Sequence, residues 1–183
     1  GFAGMAMLRR VRGLGLQAKL FEAGGGVGGT WYWNRYPGAR CDVESMEYSY
    51  QFSEELQQEW KWSERYASQA EILRYANHVA DRFGLREDMQ FDTHVLGAEF
   101  DEAAGRWRVR TGDGAQVTAD FLVMATGCLS SANLPRIRGI ETFAGRTFHT
   151  GHWPHEEVDF GGQRVGIIGT GSSAVQAIPI IAA

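Results

Sequence analysis

Cysteine and proline are scarce in this chain of 183 residues, which contains two cysteines and four prolines. Cys41 and Cys128 are far apart and form no C-x-x-C motif, which argues against a disulfide framework and against a zinc or redox pair. Isolated cysteines suit a reducing compartment, so we expect a cytoplasmic protein. We also expect Cys128, at the end of a predicted strand, to be a small buried packing residue, because nothing nearby would activate its thiolate.

Long apolar runs and an excess of positive charge are also missing. No apolar stretch approaches the roughly 20 residues that a membrane-spanning helix requires. The chain has 18 basic and 22 acidic residues and a net charge of -4. This balance gives no support for a nucleic-acid partner or for an anionic membrane surface, so we expect neither. The hydrophobic fraction of 44% predicts a packed core.

Glycine, by contrast, is abundant, and its 24 residues cluster at 24–29, 112–114 and 161–171. Such clusters indicate sharp turns or close approach of the backbone. Helical spacing predicts a helix at 1–13 and another from Ser172 onward. A third helix is predicted to begin at the S-x-x-E capping box of Ser68 and Glu71 and to end at Gly84. Strand patterns predict a short strand at 17–21, three strands between 93 and 119, and buried strands at 121–125 and 164–168.

The chain opens on a G-x-x-G pattern at Gly1 and Gly4, followed by a helical pattern. Backbone N–H groups and the helix dipole at such a turn can bind a pyrophosphate. Glu22 ends the next predicted strand, where an acidic residue can accept a hydrogen bond from a ribose hydroxyl. The alternative is a plain helix start with a surface glutamate.

A second glycine turn lies near the other end, where an apolar strand at 165–168 precedes Gly169, Gly171 and Ala174 in the G-x-G-x-x-A positions. The alternative is a glycine-rich turn of an unrelated α/β protein. Two dinucleotide turns suggest a flavin enzyme that also binds a nicotinamide cofactor. The first turn lacks a preceding strand and the last helix has no cap, so both ends look truncated. The strand that separates NAD from NADP would follow, so the residues alone do not choose between them.

The segment between the two turns carries a family resemblance. The sequence FAGRTFHTGHWP places Phe143, Gly145, His149 and Trp153 in the pattern F-x-G-x-x-x-H-x-x-x-W-P. This pattern resembles the fingerprint of Baeyer–Villiger monooxygenases, and the segments at 28–45 and 124–127 resemble flavin-side segments of that family. The likeness extends over essentially the whole chain.

The resemblance implies an α/β fold with two Rossmann-like dinucleotide-binding units, one for FAD and one for NADPH. A small antiparallel β-meander is expected in the FAD unit. Residues 1–140 would form the FAD-binding domain, and residues 141–183 the fingerprint linker and the start of the NADPH-binding domain.

The resemblance also assigns residues to the cofactors. It assigns to FAD the positions Ala3, Glu22, Thr30, Trp31, Tyr32, Trp33, Asp42, Tyr48 and Val95. It assigns to NADPH the positions Arg40, Cys41, Asp42, Thr170, Gly171, Ser172, Ser173, Ala174, Val175 and Gln176. The glycine-turn patterns and strand ends add as cofactor-binding positions Gly1, Gly4, Gly29, Gly127 and Gly169.

The activity implied is the conversion of a ketone to an ester or lactone with NADPH and O2 through a flavin peroxide. Asp42 and His149 are the catalytic candidates: Asp42 would pair with an arginine that lies after residue 183 in relatives, and His149 would couple the cofactor domains. The plainer alternatives are a turn or cap residue for Asp42 and an ordinary connector residue for His149. Without that arginine we expect residues 1–183 alone to be inactive.

Three other functions share some of these features. An N- or S-oxygenating flavin monooxygenase has both glycine turns, but its connector lacks the Trp153–Pro154 arrangement. A flavin disulfide reductase would need a close cysteine pair. A non-catalytic nucleotide-binding module would need only the turns.

Trp60 and Trp62 are expected to be packing residues.

Overall fold

The computed structural model describes all residues from Gly1 to Ala183 and divides into two compact units. Unit 1 comprises Gly1–Gly29 and Ala76–Gly127, and unit 2 comprises Thr30–Tyr75 and Cys128–Ala183. The ligand-binding domains expected at 1–140 and 141–183 stay a prediction.

The elements of the chain are five α-helices, five β-strands and four short 3-10 helices. The α-helices are α1 Phe2–Gly13, α2 Thr30–Trp33, α3 Glu54–Glu59, α4 Gln69–Arg82 and α5 Ser172–Ile181. The strands are β1 Leu20–Phe21, β2 Met89–Gln90, β3 Val95–Asp101, β4 Arg106–Thr111 and β5 Gln116–Ala119. The 3-10 helices are Ser45–Tyr48, Leu85–Asp88, Ile140–Thr142 and Thr150–His152.

In unit 1, helix α1 packs against a parallel pair formed by β1 and β2. A Cβ atom on Gly4 would lie 3.1 Å from the Leu20 side chain, so the small residue allows the helix to lie close to the strand. The Arg12 guanidinium donates to the Gly84 carbonyl at 2.9 Å and pairs with Asp88 at 3.0 Å. These contacts fix α1 on the segment that follows α4.

The predicted meander is confirmed. Strands β3, β4 and β5 form one antiparallel sheet in that order. Val109 of β4 is buried and faces Ala98 and Val117 on the neighbouring strands. Gly105 and Gly114 have positive φ angles of 64° and 85° in the two turns, a region that glycine enters without steric cost.

In unit 2, the predicted capping box of α4 forms only in part. The Ser68 hydroxyl accepts from the Glu71 N–H at 3.4 Å, as the motif requires. The Glu71 carboxylate is 4% exposed and accepts from the Ser63 N–H at 2.9 Å and from its hydroxyl at 2.7 Å. Glu71 therefore holds the preceding loop to the helix. The other end of α4 belongs to unit 1, where Gly84 has the left-handed conformation expected of a terminator.

Trp60 and Trp62 are packing residues, as predicted. Their rings lie 5.2 Å and 5.1 Å from the ring of Tyr75. The Tyr75 hydroxyl accepts from the Tyr50 N–H at 2.8 Å, and the Trp62 indole donates to the Ser49 hydroxyl at 2.9 Å. The cluster buries aromatic surface, and these two hydrogen bonds satisfy the polar groups of Tyr75 and Trp62.

The strands expected at 121–125 and 164–168 are wrong for this chain. Both segments lack strand structure, and no strand of the chain pairs with either. Phe121 is 81% exposed and Ile168 is 77% exposed. An apolar run becomes a buried parallel strand only where neighbouring strands satisfy its backbone and cover its side chains. For the same reason Cys128, expected to be buried, is exposed.

None of the helices has the length and apolar character needed to cross a lipid bilayer. No group of three or more histidine, cysteine or acidic side chains is arranged to hold a metal ion.

We predict that Glu71→Ala lowers the free energy of unfolding of the protein by about 1–3 kcal/mol, because two donors of Ser63 lose their acceptor. Glu71→Gln keeps one amide oxygen for the Ser63 N–H, so the free energy of unfolding should fall by less than in Glu71→Ala. Thermal unfolding of both variants beside the wild type checks this order. Equal destabilisation by the two substitutions would show that the hydrogen bonds do not matter.

Candidate functional site

The first glycine turn lies in unit 1, where Gly29 meets Gly1. Gly29 has a positive φ of 56°, and a Cβ atom there would lie 2.7 Å from the Gly1 Cα. Such a distance excludes any side chain at position 29. The loop at 24–29 therefore lies directly against the start of α1, as expected of a backbone cradle for a phosphate.

Glu22 is fixed at the end of β1, beside this turn. Its N–H donates to the Gln90 carbonyl at 2.9 Å, which continues the parallel pairing. Its side chain is 15% exposed, with one oxygen 3.3 Å from the Gly1 nitrogen and the other accepting from the Gly24 N–H at 3.0 Å. A carboxylate has about four acceptor positions, so it can still accept from a ribose hydroxyl. This arrangement does not resemble a free surface glutamate.

Three other predicted cofactor residues of unit 1 are exposed. Ala3 lies on α1, Val95 is the first residue of β3, and Gly127 has a positive φ of 75°. Their assignment to a cofactor stays a prediction.

In unit 2, the aromatic residues of α2 have different surroundings. Trp31 is buried and packs edge-on against Tyr48, with 5.6 Å between ring centroids. Burial raises the pKa of Tyr48, so its hydroxyl keeps its proton and can donate. Tyr32 and Trp33 lie 5.2 Å and 6.3 Å from the ring of His155, which the sequence did not single out.

The environment of His155 favours its neutral form. Burial lowers the pKa of His155, and the positive charge of Arg35 lowers it further. Arg35 is itself held by α2, because it donates to the Tyr32 carbonyl at 2.6 Å and lies over the Tyr32 ring. Thr30 begins this helix.

The loop at 40–42 presents its three predicted residues differently. The Cys41 N–H donates to the Ala67 carbonyl at 3.0 Å, and the Cys41 side chain is buried. Burial raises the pKa of the Cys41 thiol, so it is not an activated thiolate. Arg40 and Asp42 are exposed on either side of it. The side chains of Arg40 and Asp42 are therefore accessible to a ligand, whereas the side chain of Cys41 is not.

The buried side chain of Ser45 holds the loop at 40–42 in place through hydrogen bonds. Its hydroxyl is buried, shares its one proton between the carbonyl oxygens of Glu64 and Arg65 at 2.7 Å and 3.0 Å, and accepts from the Ala67 N–H at 2.8 Å. The sequence pattern gave no sign of this role, because a serine in a loop is usually solvated.

The second glycine turn leads into α5. Gly169 has a positive φ of 121°, and Gly171 is the N-cap of the helix. A Cβ atom on either glycine would meet nothing within 4 Å, so the space beside both is open. The N–H groups of Ser172 and Ser173 belong to the first turn of the helix and have no intrahelical acceptor. Open space and free N–H groups at a helix N-terminus fit a phosphate.

The remaining predicted residues of this turn are divided by burial. Ala174 is buried, as close packing of the helix requires. Thr170 and Val175 are exposed.

The structure brings Arg40 and Asp42 together with the start of α5. The Ser172 hydroxyl donates to an Asp42 carboxylate oxygen at 3.3 Å. The Gln176 Oε1 accepts from the Arg40 N–H at 3.3 Å and from the Tyr36 hydroxyl at 2.8 Å, and its Nε2 donates to the Arg40 carbonyl at 3.1 Å. Two segments more than a hundred residues apart in sequence thus form one site.

Tyr36 and Gly38 contribute to this site but were missed by the sequence analysis. A Cβ atom on Gly38 would lie 2.3 Å from the Gln176 carbonyl oxygen, and the φ of Gly38 is 77°. The Pro37–Gly38 dipeptide signals a turn, but only the folded chain reveals that α5 lies against it.

Of the fingerprint residues, Trp153 lies near the same helix. Trp153 packs against the buried cluster of Tyr36, Ala39 and Ala177. The His149 Nδ1 accepts from the Gly151 N–H at 3.0 Å, so the ring carries its N–H on Nε2 when neutral. Phe143 and Gly145 are exposed. The coupling of the cofactor domains that is expected of the fingerprint stays a prediction.

We predict that Gly38→Ala destabilises the protein more than Gly15→Ala. Both glycines have left-handed backbones, with φ of 77° and 73°, which costs another residue about 1–2 kcal/mol. Only Gly38 adds an overlap with the Gln176 carbonyl, which costs about 1–3 kcal/mol more. Denaturant unfolding of the two variants measures the difference. A Gly38→Ala variant as stable as Gly15→Ala would argue against the contact.

The chain is similar to one protein family and to several named relatives. The family model for pyridine nucleotide-disulphide oxidoreductases matches residues 30–181. A Baeyer–Villiger monooxygenase from Pseudooceanicola batsensis is 49% identical, over 97% of this chain and 33% of its own. A phenazine N-monooxygenase from Lysobacter antibioticus is 48% identical, over the same shares.

Solved structures give the same result. An oxidized steroid monooxygenase bound to NADP is 60% identical with a TM-score of 0.93, over 100% of this chain and 35% of that one. The complex of OTEMO with FAD and NADP is 45% identical, again with a TM-score of 0.93 and over the same shares.

The matches confirm the resemblance to Baeyer–Villiger monooxygenases and the α/β fold expected from it. A closer likeness to phenylacetone monooxygenase, which the sequence also suggests, stays a prediction. The chain spans about a third of the length of the relatives that it matches. Because the family model covers residues 30–181, this chain belongs to the pyridine nucleotide-disulphide oxidoreductase family.

Proposed function

We propose that the protein containing this chain is a monooxygenase that uses FAD, NADPH and O2 to convert ketones to esters or lactones. The observation that carries the proposal is the fingerprint segment, whose Trp153 packs against the buried cluster that includes Ala177 of α5. This segment lies in a chain that is 49% identical to a Baeyer–Villiger monooxygenase.

FAD is assigned to the first glycine turn. The backbones of Gly29 and Gly1 are in contact with no side chain between them, and the Glu22 carboxylate beside them has free acceptor positions. The OTEMO structure, which contains FAD, supports this assignment. When bound, FAD would supply the redox chemistry, namely hydride uptake from the nicotinamide and reaction with O2.

NADPH is assigned to the second glycine turn. The open space beside Gly169 and Gly171 and the free N–H groups of the first turn of α5 fit a pyrophosphate. The NADP in the steroid monooxygenase and OTEMO structures favours NADPH over NADH.

Asp42 is proposed to act electrostatically. Its carboxylate is exposed, lies 3.3 Å from the Ser172 hydroxyl, and stands at the N-terminal end of α5. A carboxylate there can orient a cationic side chain, and an arginine would bind it with two parallel hydrogen bonds. Asp42 would thereby position the arginine that lies after residue 183 in relatives, to which the resemblance gives a catalytic role.

The phenazine N-monooxygenase at 48% identity favours N-oxygenation as the second candidate function. Both reactions need the same two glycine turns and differ in the atom that receives oxygen. Disulfide reduction has less support, because Cys41 is buried, Cys128 is exposed, and both thiols are free.

The proposed partners are a small ketone and O2, and neither nucleic acid nor membrane is proposed. A cytoplasmic location is proposed as well. Its support is that both cysteines are free thiols, which a reducing compartment preserves.

The direct experiment uses the purified full-length protein and supplies NADPH with a panel of ketones or with phenazine. We expect flavin absorbance, NADPH consumption, and products with the mass of the ketone plus one oxygen that hydrolyse as esters. Phenazine oxide without any ester would favour the second candidate. A protein without flavin even after reconstitution with FAD would contradict both.

We predict that Asp42→Ala keeps its FAD but yields on the order of 10²-fold less ester per NADPH, because the cationic partner loses its orientation. NADPH that is still consumed should appear as hydrogen peroxide. Glu44→Ala is the matched control, since it removes an exposed carboxylate two residues away that pairs with Arg65. Ester yields equal to wild type in the Asp42 variant would rule out the proposed role.

A further inference from the structure

Ser172 and Gln176 contact the same short stretch of chain. They are four residues apart on α5 and therefore lie on the same face of the helix. Ser172 donates to Asp42, and Gln176 binds the backbone of Arg40. We call these contacts between α5 and residues 40–42 the α5 clamp.

Gln176 makes the larger contribution to the clamp. Its amide oxygen accepts from the Arg40 N–H and the Tyr36 hydroxyl, and its amide nitrogen donates to the Arg40 carbonyl. The side chain thus pairs with both main-chain groups of Arg40, as a neighbouring strand would. A side chain must offer a donor and an acceptor together to do this, and a neutral amide offers both.

Packing beside the amide strengthens this contact. Gly38 lies so close to the backbone of Gln176 that a Cβ atom would overlap its carbonyl oxygen. Ala39 and Ala177 are buried together with Tyr36. The loop at 36–40 is therefore held along one side of α5, while the second glycine turn lies at the N-terminus of the same helix.

We propose that Gln176 is a positioning residue that keeps Asp42 in register with the nucleotide site at the N-terminus of α5. This inference rests on the proposed function. The three hydrogen bonds of its amide go to the protein, so Gln176 acts through Arg40 and does not need to contact the nucleotide. A nucleotide bound at Gly169–Gly171 then finds Asp42 at a fixed place.

Two substitutions of Gln176 test the proposal in the full-length protein. Gln176→Met keeps the length of the side chain and removes all three hydrogen bonds. Gln176→Glu keeps the two acceptor contacts, but an ionised carboxylate cannot donate to the Arg40 carbonyl. Ile178→Ala is the control, because Ile178 is an exposed residue on the same helix.

We expect Gln176→Met to retain FAD, to bind NADP⁺ about tenfold more weakly, and to release more hydrogen peroxide per NADPH. The maximal rate of NADPH oxidation should change less than its KM. Backbone hydrogen exchange around Arg40 should become faster in this variant. In Gln176→Glu, NADP⁺ binding should improve as the pH falls from 8 towards 5, because a protonated carboxyl regains the donor.

The outcomes separate this inference from the proposed function. If the wild-type protein binds no NADP⁺, the proposed function fails, whereas hydrogen exchange at Arg40 still tests the clamp. Unchanged exchange in Gln176→Met would show that the clamp does not hold the loop. Faster exchange with unchanged NADP⁺ affinity and unchanged peroxide release would overturn the positioning role.

Discussion

Close approach of backbone to backbone is the constraint on which both candidate sites depend. At the first turn Gly29 touches Gly1, and near the second turn Gly38 touches the carbonyl of Gln176. In each case the separation excludes a Cβ atom, and the backbone φ is positive. Glycine is the residue that meets both conditions without strain. The geometry of each site follows from these contacts.

In unit 2 this constraint connects structure with the proposed chemistry. Because Gly38 allows the loop to lie along α5, the Gln176 amide reaches the backbone of Arg40, and Ser172 reaches Asp42. The buried thiol of Cys41 and the buried hydroxyl of Ser45 hold the same loop from the other side. A carboxylate on an exposed loop thereby acquires a defined position beside the helix that we propose binds the nucleotide.

Local patterns predicted much of the fold. The meander was predictable because its strands are adjacent in sequence and its turns carry Gly105 and Gly114. Helix α5 was predictable because the glycine turn, the polar residues and the apolar spacing agree. Glu22 was placed correctly at a strand end by the alternation at 17–21, although the strand itself covers only Leu20–Phe21.

Contacts between distant segments were not predictable. The pairing of Gln176 with Arg40 joins residues that are 136 positions apart, and no pattern near either residue indicates it. The apolar runs at 121–125 and 164–168 were predicted to be buried strands. Their hydrophobicity indicates that the side chains favour burial, but it does not show whether neighbouring strands of the chain pack against them. The position of Cys41 likewise depends on the hydrogen bond from its N–H to the Ala67 carbonyl, and no sequence pattern at Ala67 indicates this contact.

A crystal structure of the full-length protein with NADP⁺ tests the central claim most directly. The account predicts that the pyrophosphate lies beside Gly169 and Gly171, with the Gln176 amide still bound to the backbone of Arg40 and Asp42 beside Ser172. A pyrophosphate bound away from this turn, or a Gln176 amide that leaves Arg40 to bind the nucleotide, would contradict it.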